Sequence, residues 1–158
     1  MTSPIVAVSS APSPDPRFLA LGAGRYQVHG SEGPLRSETV VPADPRAAAL
    51  ARSVLDNEMS SALLPRIADS KVVLSEVVAN AVQHGTVNGR GNIRLVVDLD
   101  SERLHVRVEQ ELSAVSVRPS YSPLPHPGGF GLRIVEALAD DWGAEPGPPG
   151  CVWFQIEA

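Results

Sequence analysis

This chain is short of the residues that would announce several common functions. Of its 158 residues only one, Cys151, is a cysteine, so no internal disulfide can form. No Cys/His cluster has the spacing of a zinc site. No apolar run approaches the roughly 18 residues needed to cross a bilayer, and the N-terminus lacks a basic segment followed by an apolar one. The expectation is a cytoplasmic protein in a reducing compartment, without membrane contact. Positive charge is also scarce: 13 Lys and Arg stand against 18 Asp and Glu, a net charge of −5. Sequence-independent binding to phosphate backbones would start against repulsion, so no direct nucleic-acid role is expected.

What the chain has in quantity is proline and glycine, 15 and 13 residues, and they cluster. Residues 1–37 contain Ser3-Pro4, Ser9-Ser10-Ala11-Pro12-Ser13-Pro14 and Asp15-Pro16 without hydrophobic periodicity, which predicts a disordered tail. Residues 38–158 are predicted to form one domain. Glu38–Val41 reads as a short strand. In Pro42-Ala43-Asp44-Pro45, Asp44 is placed to cap a helix running from Pro45 to about Met59. That helix carries Arg46, Arg52 and Asp56 on its polar side, a face that suits either a partner or plain solvation.

A second helix is predicted over Ile67–His84. Leu74, Val77, Val78, Ala81 and Val82 fall on one side, with Glu76, Asn80, Gln83 and His84 on the other. Val73 is out of place on the polar side. Glu76, Asn80 and His84 stack at i, i+4, i+8. Carboxylate and amide oxygens are hard ligands, suited to Mg²⁺ and to orienting a hydroxyl.

Ile93–Leu99 and Leu104–Gln110 then alternate as two strands of a hairpin closed by Asp100-Ser101-Glu102. Leu104, Val106 and Val108 point inward, so Gln110 does too. Leu112–Val117 is a possible further strand, followed by a Pro-rich loop from Pro119 to Gly129. Gly129-Phe130-Gly131 opens a helix with Leu132, Ile134, Val135, Leu138, Ala139 and Trp142 on its apolar side. A glycine-rich turn at a helix start offers free backbone N–H groups and the positive end of the helix dipole to an anion. Cys151–Ile156 alternates as a last strand. Helices and hairpin strands without βαβ regularity predict an α+β, two-layer sandwich: a mostly antiparallel, mixed sheet with helices on one face.

In this order the pieces resemble the GHKL superfamily of ATP-binding domains, and within it the stand-alone anti-sigma-factor serine kinases. Glu76-Val77-Val78-Ala79-Asn80-Ala81 with His84-Gly85 is similar to that family's N box. Gly129-Phe130-Gly131-Leu132-Arg133-Ile134-Val135 is similar to its second glycine box, and Gly150-Cys151-Val152-Trp153-Phe154 to its closing strand. The resemblance spans about Thr39 to Ala158 and implies a Bergerat-type ATP-binding fold. It implies ATP and Mg²⁺ as cofactors, with Asn80 as the metal ligand and Glu76 as the catalytic group that orients or deprotonates a serine hydroxyl. Gly128, Gly129, Gly131 and Leu132 would cradle phosphates, and Tyr121–Pro127 would form a nucleotide lid. His84 suits either ligand contact or a wet helix end.

One position departs from the pattern. The family follows a strand like Leu104–Gln110 with an aspartate that accepts a hydrogen bond from the adenine amino group. Counting along the strand puts Gln110 there; Glu111 would reach the inner side only through a bulge. The resemblance implies a kinase that binds a sigma factor and phosphorylates an anti-anti-sigma-type antagonist, with a possible homodimer. The departure at Gln110 motivates the alternative, a degenerate nucleotide-binding module that acts by protein sequestration.

Overall fold

A computed structural model of the chain describes residues 35–58, 61–84, 91–110, 131–146 and 149–158. Of the expected tail over residues 1–37, residues 1–34 lie outside the described residues, as do the possible strand from Leu112 and the expected lid, whereas Leu35–Ser37 are not tail but the start of a strand. The elements are β1 (Leu35–Pro42), α1 (Ala47–Glu58), a 3₁₀ turn (Leu64–Arg66), α2 (Ile67–His84), β2 (Asn92–Leu99), β3 (Arg103–Gln110), α3 (Gly131–Leu138), β4 (Asp141–Glu145) and β5 (Gly150–Glu157). The strands form one sheet in the order β1-β2-β3-β5-β4, antiparallel at every pairing. The sheet is α+β as expected, although it has no parallel pair among the described residues.

Alternation places one face of each strand under the helices. Val41, Ile93, Leu95, Val97, Leu104, Val106, Val108, Val152, Phe154 and Ile156 are buried there with Ala51, Leu55, Leu74, Val77, Val78 and Val135 from the helices. On the opposite face the strands carry a ladder of charge. Arg94 bridges Glu38 at 2.6 Å and Glu109 at 3.0 Å, and Arg107 bridges Glu109 at 3.3 Å and Glu145 at 3.0 Å. Each exposed pair adds little by itself. Their long stems flank Val96 and Cys151, which are buried on this outer face.

Local chemistry accounts for the boundaries. Asp44 caps the first helix as predicted, accepting the Arg46 N–H at 2.7 Å. The regular helix starts two residues beyond Pro45, at Ala47. Asp100 closes the β2–β3 hairpin by accepting the N–H groups of Glu102 at 2.9 Å and Arg103 at 2.7 Å. β1 begins at Leu35, three residues before the predicted strand.

Trp142 corrects the expected course of the last helix. The apolar spacing carried the predicted helix through it, yet α3 ends at Leu138 and Trp142 belongs to β4. Asp140 holds the connection, its N–H bonding Gln155 O at 2.9 Å and its carboxylate accepting the Glu157 N–H at 2.8 Å. Gly143 then lies beneath the Trp153 indole. A Cβ there would come within 2.8 Å of the ring, so the glycine makes room for the aromatic cover.

Candidate functional site

Three chain segments converge at one end of the sandwich. The C-terminal end of α2 leads toward β2, and Ile93 near the start of β2 pairs with Gln110 at the end of β3. At the same end α3 opens against the middle of α2. A Cβ built on Gly131 would lie 2.8 Å from Glu76 Oε2, 3.7 Å from Glu76 Cβ and 3.6 Å from Asn80 Nδ2. The glycine at this position therefore lets the first turn of α3 lie against the polar pair of α2 without displacing the Glu76 carboxylate, which any side chain would have to push aside.

That approach also accounts for Val73. α3 packs along α2 on the Glu76 side, and Val73 is fully buried there. The polar stripe is thus divided: Val73 is core, Glu76 and Asn80 are half-buried beneath α3, and Gln83 is exposed. Solvation of a whole helix face would not leave a carboxylate and an amide in a partly covered notch. Among the described residues no group of three or more His, Cys, Asp or Glu side chains could hold a metal ion. Glu76 and Asn80 are hard oxygen donors too few for an all-protein cage, a donor set that suits Mg²⁺ sharing its ligands with phosphates and water.

Gln110 points inward, as its parity predicted, and is only 5% exposed. It sits between Ile93 and Gly150 in register, so one neighbour contributes a side chain and the other none. Its Oε1 is buried and finds no hydrogen-bond partner among the described residues. Leu132 is half-buried in the first turn of α3. Gly128, Gly129 and Glu111 lie outside the described residues, as does the side chain of His84.

Arg66 was not singled out by sequence, yet it holds α3 in place. Its guanidinium donates to Leu138 O at 3.0 Å and Glu157 O at 3.2 Å, and pairs with Asp69 at 3.2 Å and Asp140 at 3.4 Å. The last carbonyls of a short helix need such partners. The i,i+3 spacing of Arg66 and Asp69 was the available signal, but it says nothing about the distant carbonyls. The polar face of α1 is likewise engaged: Arg46 pairs with Asp44 at 2.7 Å, Arg52 donates to Ser75 Oγ at 2.9 Å, and Asp56 pairs with Lys71. No helix among the described residues is long and apolar enough to cross a membrane.

Comparison with known proteins agrees with this fold. The family model of the histidine kinase-like ATPase domain matches residues 41–155. A serine-protein kinase RsbW from Oceanobacillus iheyensis is 30% identical over 120 residues, covering 66% of this chain and 75% of the relative. A crystal structure of the RsbU and RsbW domains of a Mycobacterium tuberculosis protein superposes with a TM-score of 0.55 at 21% identity. That match covers 77% of this chain and 31% of the larger protein, so the chain spans about a third of it. The structural likeness supports the fold.

Proposed function

The chain belongs to the histidine kinase-like ATPase domain family, and from that premise we propose that it is an ATP-dependent protein serine/threonine kinase of the anti-sigma-factor type. The observation that carries the reading is the approach of Gly131 to Glu76 and Asn80, which puts a glycine-opened helix start against a carboxylate and an amide. The relative named as a serine-protein kinase supports the choice of reaction.

The residues present fit the roles. Asn80 would hold Mg²⁺ through its side-chain oxygen, leaving the Glu76 carboxylate free for the serine hydroxyl; the bound ion would neutralise phosphate charge and fix the phosphate orientation. The backbone N–H groups of Gly131 and Leu132, in the first turn of α3, have no intrahelical acceptors and would be free to meet the phosphates. Glu76 accepts the proton of the incoming serine hydroxyl. The serine oxygen bonds to the γ-phosphorus as the bond from that phosphorus to the bridging oxygen breaks, and ADP departs. Gln110 meets the base. The substrate serine belongs to an anti-anti-sigma-type antagonist, and a sigma factor is the second binding partner. The domain starts with β1 at Leu35, three residues before the expected start at residue 38, works in the cytoplasm and forms a homodimer.

The test is transfer of labelled phosphate from Mg²⁺-ATP to a purified antagonist. Glu76→Gln and Asn80→Ala should each lower transfer by about a hundredfold or more. Wild-type rates in both variants would overturn the assigned roles. Gln110 in place of the family's aspartate favours a second reading, a sequestering module without kinase activity. Nucleotide binding without transfer to the antagonist would select it.

A further inference from the structure

Gln110 carries more than a weakened copy of an aspartate. Its side chain is more than nine-tenths buried and its Oε1 has no partner among the described residues. Buried amide oxygens are nearly always satisfied, so an orphaned one at the strand end where the proposed function puts the base points to a donor on the ligand. The neighbouring Gly150 adds no side chain of its own on that side of β3. With phosphates at the start of α3, as the proposed function has them, Gln110 is a buried side chain with an open acceptor for the base.

We infer that Gln110 lets this site bind guanosine as well as adenosine triphosphate, with comparable affinity. The inference rests on the nucleotide-binding reading above and goes beyond it in substrate range. A carboxylate offers acceptors only. It pairs with the adenine amino group and repels the O6 of guanine. An amide offers a donor and an acceptor on one plane, exchanged by a half-turn about its terminal bond. In one orientation Oε1 accepts from the adenine amino group while Nε2 donates to N1. In the other, Nε2 donates to guanine O6 while Oε1 accepts from N1–H. Both purines therefore satisfy the buried oxygen, and neither leaves like polarities opposed.

Calorimetric titration of the full chain with Mg²⁺-ATP and Mg²⁺-GTP tests this. The wild-type dissociation constants should agree within about tenfold. Gln110→Asp should move the ratio by at least about tenfold in favour of ATP, and Gln110→Leu, which has no polar atoms, should weaken both by about tenfold or more. Circular dichroism of each variant confirms folding, and the leucine variant alone suffices if the buried aspartate prevents it. ATP binding with a greater than tenfold preference over GTP overturns the inference and leaves the nucleotide reading standing. An unchanged ratio in Gln110→Asp, or undiminished affinities in Gln110→Leu, also overturns it. Failure of the folded wild type to bind either nucleotide overturns both.

Discussion

Replacing Gly131 with alanine separates the stability of the domain from the alignment of its polar pair. The added methyl would sit 2.8 Å from Glu76 Oε2, whereas ordinary contact needs about 3.5 Å, so the carboxylate must retreat by roughly 0.7 Å. The obstructing atom is the free end of a flexible side chain, and moving it off its preferred rotamer costs about 1 kcal/mol. Alanine in place of glycine in a helix returns up to about 1 kcal/mol. The two effects nearly cancel, so the melting temperature should move by less than about 5 °C. Catalysis is far less tolerant, since a misplacement near 1 Å costs on the order of a hundredfold. Phosphate transfer to the antagonist should fall by roughly 10- to 100-fold while thermal unfolding by circular dichroism stays close to wild type. Wild-type transfer by Gly131→Ala would refute the claim that this contact sets the carboxylate. So would a loss of more than about 10 °C, because the carboxylate would then be fixed by folding.

Two further outcomes follow from buried groups. Glu58 is held by a hydrogen bond from Ser37 Oγ at 2.8 Å, and burial raises its carboxyl above the ordinary 4.5 despite that bond. A raised carboxyl favours the protonated folded state, so the stability it contributes is full below the unfolded value and is lost as pH rises through the folded value. Glu58→Gln should therefore raise the melting temperature near neutral pH, and the gain should vanish toward about pH 4; a gain independent of pH would contradict the assignment. Cys151 is 2% exposed, and burial pushes its thiol up to about 11. Ellman's reagent at about pH 8 should leave the native thiol unreacted and titrate one equivalent after denaturation; prompt native labelling would show that the outer face opens.

The sequence carried the parts of this fold whose signal is local. α2 was legible because its apolar stripe is long and its end is marked by glycine, and Asp44 because a cap is recognised within three residues. Gln110 was placed inward by strand parity alone. Its orphaned oxygen was not legible, because satisfaction depends on neighbours from β2 and β5. β4 was missed because five residues with only Trp142 and Ala144 facing the core give too little alternation to outweigh a continuing helical period. Val73 looked misplaced until α3, far along the chain, covered it. The approach of Gly131 to Glu76 joins positions that only the fold brings together, so the glycine box and the polar stripe could be recognised separately but not seen to touch.

Titration calorimetry of Mg²⁺-ATP into the wild type and Asn80→Ala reaches the central claim with the fewest intermediates, since it needs no antagonist. The wild type should bind, and binding should weaken sharply when EDTA removes the metal and when Asn80 is replaced. No binding by the folded wild type at about 1 mM ATP, or binding that neither EDTA nor Asn80→Ala weakens, would contradict it.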